Sequence, residues 1–213
     1  QLFLVLNKYG IKNKLEHIDF GLFKFPEGKM STRKGNVIFL EEVLNKSIKL
    51  ASNIIEKKNP RLKNKQEVAK QVGVGAIIFS DLNNDRIKNI DFNWDRMLSF
   101  EGETAPYLQY THARASSILR KSELGVSTKE LNYTLKEEKE LLKLLNKYKE
   151  VIVKTSIFYK PHHIANYLIS LAQAFNEFYH KCPVISEKTS IMKSRLLLVD
   201  CVRQTLKNGL GLL

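Results

Sequence analysis

The chain has 213 residues, 43% hydrophobic and 27% charged, a balance that excludes wholesale disorder and gives room for one large domain or two small ones. Its longest apolar runs, such as residues 2–6 and 196–199, fall far short of the roughly 18 residues of a membrane span, and two cysteines, Cys182 and Cys201, cannot make a disulfide framework or a four-ligand zinc site. The 35 Lys+Arg against 22 Asp+Glu leave a net charge of +13, spread along the chain and not gathered in a tail, which suits a polyanionic partner with phosphate backbones as the first choice.

The sparse cysteines and the lack of a secretory segment at Gln1 suit a reducing, cytoplasmic setting, and the missing initiator methionine reads as part of a longer protein. Residues 2–8 look like the end of a helix stopped at Gly10. Ile18, Phe20, Leu22 and Phe25 suggest a short strand, residues 26–35 a loop, and Val37, Ile38 and Phe39 a second short strand. Glu41 and Glu42 suit the first turn of a helix, where carboxylates meet the positive end of the dipole; that helix should run to about Lys58 and stop before Pro60. A further helix is expected over residues 65–81, then an aromatic crossing segment over 91–100. From Glu103 onward the pattern is helical. Leu141, Leu144, Leu145, Tyr148 and Ile152 recur at three- and four-residue spacing, as do Ile164, Leu168, Leu171, Phe175 and Phe178, then Leu198, Val202 and Leu206. These stripes are the core faces of a helical bundle.

The loop over residues 29–36 has the chemistry of an anion clamp. Lys29, Arg33 and Lys34 are cations, Ser31 and Thr32 add hydroxyl donors, and Gly28 and Gly35 allow close backbone approach to a phosphate. By composition alone the same residues make an exposed basic hairpin tip. The spacing is not that of a Walker loop. Lys29-Met30-Ser31, followed by Gly35-Asn36 and apolar residues, resembles the Lys-Met-Ser-Lys-Ser signature loop of class I aminoacyl-tRNA synthetases. The resemblance implies that Lys29 and Ser31 act in catalysis. It also implies that Lys29, Met30, Ser31, Thr32, Arg33 and Lys34 bind ATP, which would enter with Mg2+ as a substrate. Thr32 stands where the signature has its second lysine, so Arg33, Lys34 or a cation elsewhere would supply that charge. The departure points towards the arginyl-tRNA synthetases, while the lysyl and cysteinyl class I enzymes carry related loops.

The second informative stretch runs from Phe92 to Arg120. Gly102 can break the preceding segment, Thr104 can cap a helix, and Pro106 suits its first turn. Tyr107, Tyr110 and Arg114 then lie at i, i+3 and i+7, two aromatic plates and a guanidinium on one stripe. Such parts can stack on unpaired bases and hold phosphate in a single-stranded RNA loop, or they can simply pack against neighbouring helices. This run is similar to the start of the anticodon-binding bundle of arginyl-tRNA synthetases, and the similarity extends over nearly the whole chain. It implies that Tyr107, Tyr110 and Arg114 contact the anticodon loop, with Trp94 and residues 100–102 positioning the helix.

The fold class expected is mixed: the C-terminal end of a class I α/β nucleotide-binding, Rossmann-like catalytic domain over 1–58, a connecting helical segment over 59–101, and an all-α anticodon-binding domain of the DALR type over 102–213. The family's other signature, a His-x-Gly-His type tetrapeptide, does not occur in the chain, and the resemblance implies that the strand ends recognising arginine lie upstream as well, with the arginine pocket mostly outside this chain. The activity implied is ATP-dependent formation of arginyl-adenylate and transfer of arginine to its tRNA by the full-length, monomeric enzyme, with this chain inactive alone. The partners implied are tRNA(Arg), ATP and arginine, with no membrane. Two other readings stay open: a non-catalytic basic helical RNA-binding module, and a helical bundle for protein contacts. His162 and His163, adjacent and preceded by Pro161, suit a helix start better than a metal site, and no metal-ligand spacing stands out.

Overall fold

A computed structural model describes residues 2–24, 38–122, 125, 131–185 and 189–213. Helix α1 (Leu2–Lys8) leads through Gly10, whose positive φ of 82° suits the turn that ends it, to strand β1 (Phe23–Lys24). Helices α2 (Leu40–Lys58) and α3 (Lys65–Leu82) follow as a hairpin, then strand β2 (Ile90–Asp91) and the short helix α4 (Trp94–Met97). The remainder is helical: α5 (Ala105–Lys121), α6 (Lys136–Asn146), α7 (Tyr148–Phe158), α8 (His162–Lys181) and α9 (Thr189–Leu212). Among the described residues no helix is long and apolar enough to cross a membrane.

Two sequence expectations need correction. Of the described residues 18–24 of that stretch, only Phe23 and Lys24 form a strand, pairing in parallel with Ile90 and Asp91; Phe25 lies outside the described residues. Ile18, Phe20 and Leu22 are exposed even though the neighbouring backbone is held, the Gly21 amide donating to the Arg86 carbonyl and the Leu22 carbonyl accepting from the Ile90 amide at 3.0 Å. Ile38 and Phe39 are not a strand either. Phe39, in extended backbone, is the residue before α2, and its carbonyl accepts the first helical hydrogen bond from Val43. Val37 lies outside the described residues.

The α2–α3 hairpin closes on small residues. Val43, Ser47, Ala51 and Ile55 recur every four residues and form the buried stripe of α2. Gly73 of α3 faces it, its carbonyl accepting from the Ser47 hydroxyl at 2.8 Å. A Cβ added to Gly73 would come within 2.8 Å of the Ile48 backbone, so the crossing distance depends on the missing side chain. Phe92 sits beneath, edge-on to Trp94 with ring centroids 4.7 Å apart.

The bundle has one continuous core. Leu108 and Ala115 of α5, Leu141 of α6, the Leu168–Leu171–Phe175–Phe178 stripe of α8, and Leu198, Val202 and Leu206 of α9 are all buried in it. The Leu141–Ile152 stripe spans two helices and not one: the chain breaks at Lys147, which caps both α6 and α7. Glu138, buried at the start of α6, accepts from the Thr134 and Leu135 amides through Oε2 and from Arg195 Nε through Oε1 at 2.8 Å. Its charge is therefore fully paired. Cys182 and Cys201 are free thiols with packing positions, and burial pushes both pKa values up.

A polar clasp joins the first part to the bundle. The Arg86 guanidinium bonds the Asp19 carboxylate and carbonyl, and its Nε donates to the Tyr159 carbonyl at 3.1 Å. Lys160 donates to Asp85 at 2.8 Å, and this hydrogen bond holds the Asp85 carboxyl below the usual carboxylate range. Tyr159 takes the left-handed conformation, φ 53° and ψ 42°, that ends α7. The His162 and His163 rings at the start of α8 lie 4.3 Å apart, nearer than their positions on a helix suggest.

Candidate nucleic-acid interface

The clamp residues Lys29, Met30, Ser31, Thr32, Arg33 and Lys34 lie outside the described residues. The other candidates, Tyr107, Tyr110 and Arg114, all stand on α5. Thr104 sets the start of this helix: its hydroxyl accepts from the Tyr107 amide at 3.3 Å and donates to the Ser99 carbonyl at 2.6 Å. Pro106 occupies the first turn, where its missing N–H costs nothing.

The structure brings the three residues together, each in a different setting. Tyr110 is 51% exposed. Tyr107 is half-buried, its ring against the bundle core and its hydroxyl accepting from Asn176 Nδ2 at 2.8 Å. Arg114 is half-buried between two rings, its guanidinium carbon 4.9 Å from the centroid of Tyr110 and 5.2 Å from that of Tyr179. Its Nη1 donates to Asn176 Oδ1 at 2.6 Å. Two tyrosines and one arginine thus form a stacked ridge that leaves Tyr110 open to solvent.

Beside the ridge lies a groove of about 1110 Å³ between the α2–α3 hairpin and the bundle, lined among others by Lys58, Phe100, Tyr107, Tyr110, Arg114 and His180. Lys58 Nζ sits 4.9 Å above the Phe100 ring, a second cation-on-aromatic pair on the far wall. Gln109 Nε2 reaches the Gln71 carbonyl at 3.4 Å and ties α5 to α3 across the groove floor. Phe100, expected to position α5, lines this wall, whereas Trp94 packs under the hairpin against Phe92. His112 faces α9: burial, with Arg203 and Lys207 nearby, holds its imidazole below the ordinary range.

Sequence reasoning missed Tyr179 and Asn176. Tyr179 lies on the partly exposed side of a stripe read as core, and Asn176 is one of three side-chain amides of α8, with Asn166 and Gln173. Neither carries a local signal, since both matter only through contacts with α5, 62 or more residues away along the chain.

The ridge thus stands at the edge of a groove on a helical bundle, which follows a segment holding two short parallel strands and the α2–α3 hairpin. Residues 108–213 match the DALR anticodon binding domain, and residues 1–94 match the catalytic domain of class I tRNA synthetases (R). The chain is 46% identical over 208 residues to the arginine–tRNA ligase of Clostridioides difficile, covering 96% of this chain and 37% of that protein. It is 49% identical over 217 residues to arginine–tRNA ligase 1 of Bacillus cereus, covering 100% of this chain and 38% of the relative. The solved arginyl-tRNA synthetase of Thermus thermophilus superposes with a TM-score of 0.85 at 36% identity, over 92% of this chain and 34% of that one. The chain therefore belongs to the arginyl-tRNA synthetase family: a class I catalytic-domain portion followed by an all-helical DALR domain. It spans little more than a third of the curated relatives it matches.

Proposed function

We propose that the whole protein is an arginine–tRNA ligase that activates arginine with ATP to arginyl-adenylate and transfers it to tRNA(Arg), and that this chain carries its ATP-phosphate loop and its anticodon-binding bundle. The division is functional: 1–58 closes the catalytic domain, 59–101 connects, and 102–213 reads the anticodon arm. The α2–α3 hairpin packs across the first boundary. In the loop, Lys29 binds and neutralises triphosphate oxygens, with Ser31, Thr32, Arg33 and Lys34 as further donors and cations and Met30 within the same stretch. Mg2+ arrives with the ATP phosphates. On the bundle, Tyr110 and Tyr107 stack loop bases while Arg114 grips the loop. The enzyme works in the cytoplasm as a monomer.

The observation that carries this reading is the ridge: an exposed tyrosine stacked on an arginine at the edge of a groove, in a chain of net charge +13. Base stacking on an aromatic side chain contributes about 1–3 kcal/mol per base, so Tyr110→Ala should weaken binding of arginine tRNA about 5- to 150-fold. In the full-length enzyme the same substitution should leave adenylate formation nearly intact. Unchanged tRNA affinity would count against the assignment, and so would charging of tRNA by the 213-residue chain alone.

A further inference from the structure

Asn176 bonds two residues of the ridge, Arg114 and Tyr107, and Thr111 between them on α5. Its Oδ1 accepts from Arg114 Nη1 at 2.6 Å, and its Nδ2 donates to the Tyr107 hydroxyl at 2.8 Å and to Thr111 Oγ1 at 3.3 Å. Thr111, buried, donates in turn to the Tyr107 carbonyl at 2.9 Å. A primary amide has two N–H donors and one carbonyl oxygen, and all of them are engaged here within the protein. The three partners sit one turn apart on α5, so a single side chain on α8 spans the ridge from Tyr107 to Arg114.

We infer that Asn176 is a positioning residue of the RNA-reading face, holding the Arg114 guanidinium between Tyr110 and Tyr179 and fixing the Tyr107 ring, without itself contacting RNA. This rests on the anticodon reading proposed above. Stacking between two rings leaves a guanidinium free to turn in its own plane. The short charge-assisted bond to Oδ1 removes that freedom and decides which N–H edge faces the groove. The Tyr107 hydroxyl, anchored to the same amide, keeps the next ring on the stripe at a fixed height.

The test uses this chain and a transcript of an arginine tRNA. Asn176→Ala is expected to weaken binding about tenfold, the size of a lost hydrogen bond to a charged group. In an Arg114→Ala background the same change should add less than about twofold, because coupled residues are non-additive. Tyr107→Phe keeps the ring and removes only the hydroxyl, which protects the result against misfolding of the alanine variant. It is expected to weaken binding by about three- to fivefold. A full tenfold loss from Asn176→Ala in the Arg114→Ala background would overturn the inference, since a merely structural role acts in either background. So would unchanged binding by both Asn176→Ala and Tyr107→Phe. If Tyr110→Ala and Arg114→Ala bind as the parent does, the anticodon reading fails and takes this inference with it. If those two weaken binding while Asn176→Ala and Tyr107→Phe do not, only this inference fails.

Discussion

In α8, Leu168, Leu171, Phe175 and Phe178 have no exposed surface, whereas Leu2, Leu4, Tyr9, Phe20 and Leu22 near the other end are 65 to 82% exposed. The residue types are alike; the surroundings are not. Helix α8 is enclosed by α5, α6, α7 and α9, and each apolar side chain meets a facing stripe. Helix α1 buries none of its residues. Burial belongs to a pair of faces, so periodicity predicts a core only where a second periodic element is brought against the first.

The comparison can be broken at its strong end first. Phe175→Ala removes a ring from the centre of the bundle and should cost about 3–5 kcal/mol in urea unfolding. A loss below about 1 kcal/mol would mean that the bundle core is as loosely held as the exposed segment. The hairpin lies between the extremes. Gly73→Ala gains up to about 1 kcal/mol of helix propensity but forces a methyl group against the Ile48 backbone at a cost of about 1–3 kcal/mol, so a net loss of up to about 2 kcal/mol is expected. A gain in stability would show that α2 can move away from α3 freely. At the weak end, Phe20→Ser should change the stability of this chain by less than about 0.5 kcal/mol, because the ring is 80% exposed in the folded chain. A larger loss would mean that Phe20 is covered in solution by something these helices do not provide.

The same contrast explains what could be read from the residues. The stripes of α5, α8 and α9 were legible because their spacing repeats locally, and Thr104 and Pro106 marked the start of α5 within one residue. The pairing of Phe23 with Ile90 was not legible: a two-residue strand has no period, and its partner is 67 residues away. On the ridge, Tyr107, Tyr110 and Arg114 shared a face by arithmetic along one helix. Tyr179 and Asn176 joined them through tertiary packing, to which no window of sequence is sensitive. Residues 29–34 read as an anion clamp from their side-chain chemistry, only the resemblance attached ATP to them, and they lie outside the described residues.

Arg114 carries one last consequence. A long flexible side chain ordinarily surrenders its rotamers when a partner arrives, at about 0.5–1.5 kcal/mol for each one immobilised. Here the guanidinium is already seated between Tyr110 and Tyr179 and tethered to Asn176. The disorder has been given up during folding, and on the proposed anticodon reading a visiting RNA strand would meet a socket that is set before contact.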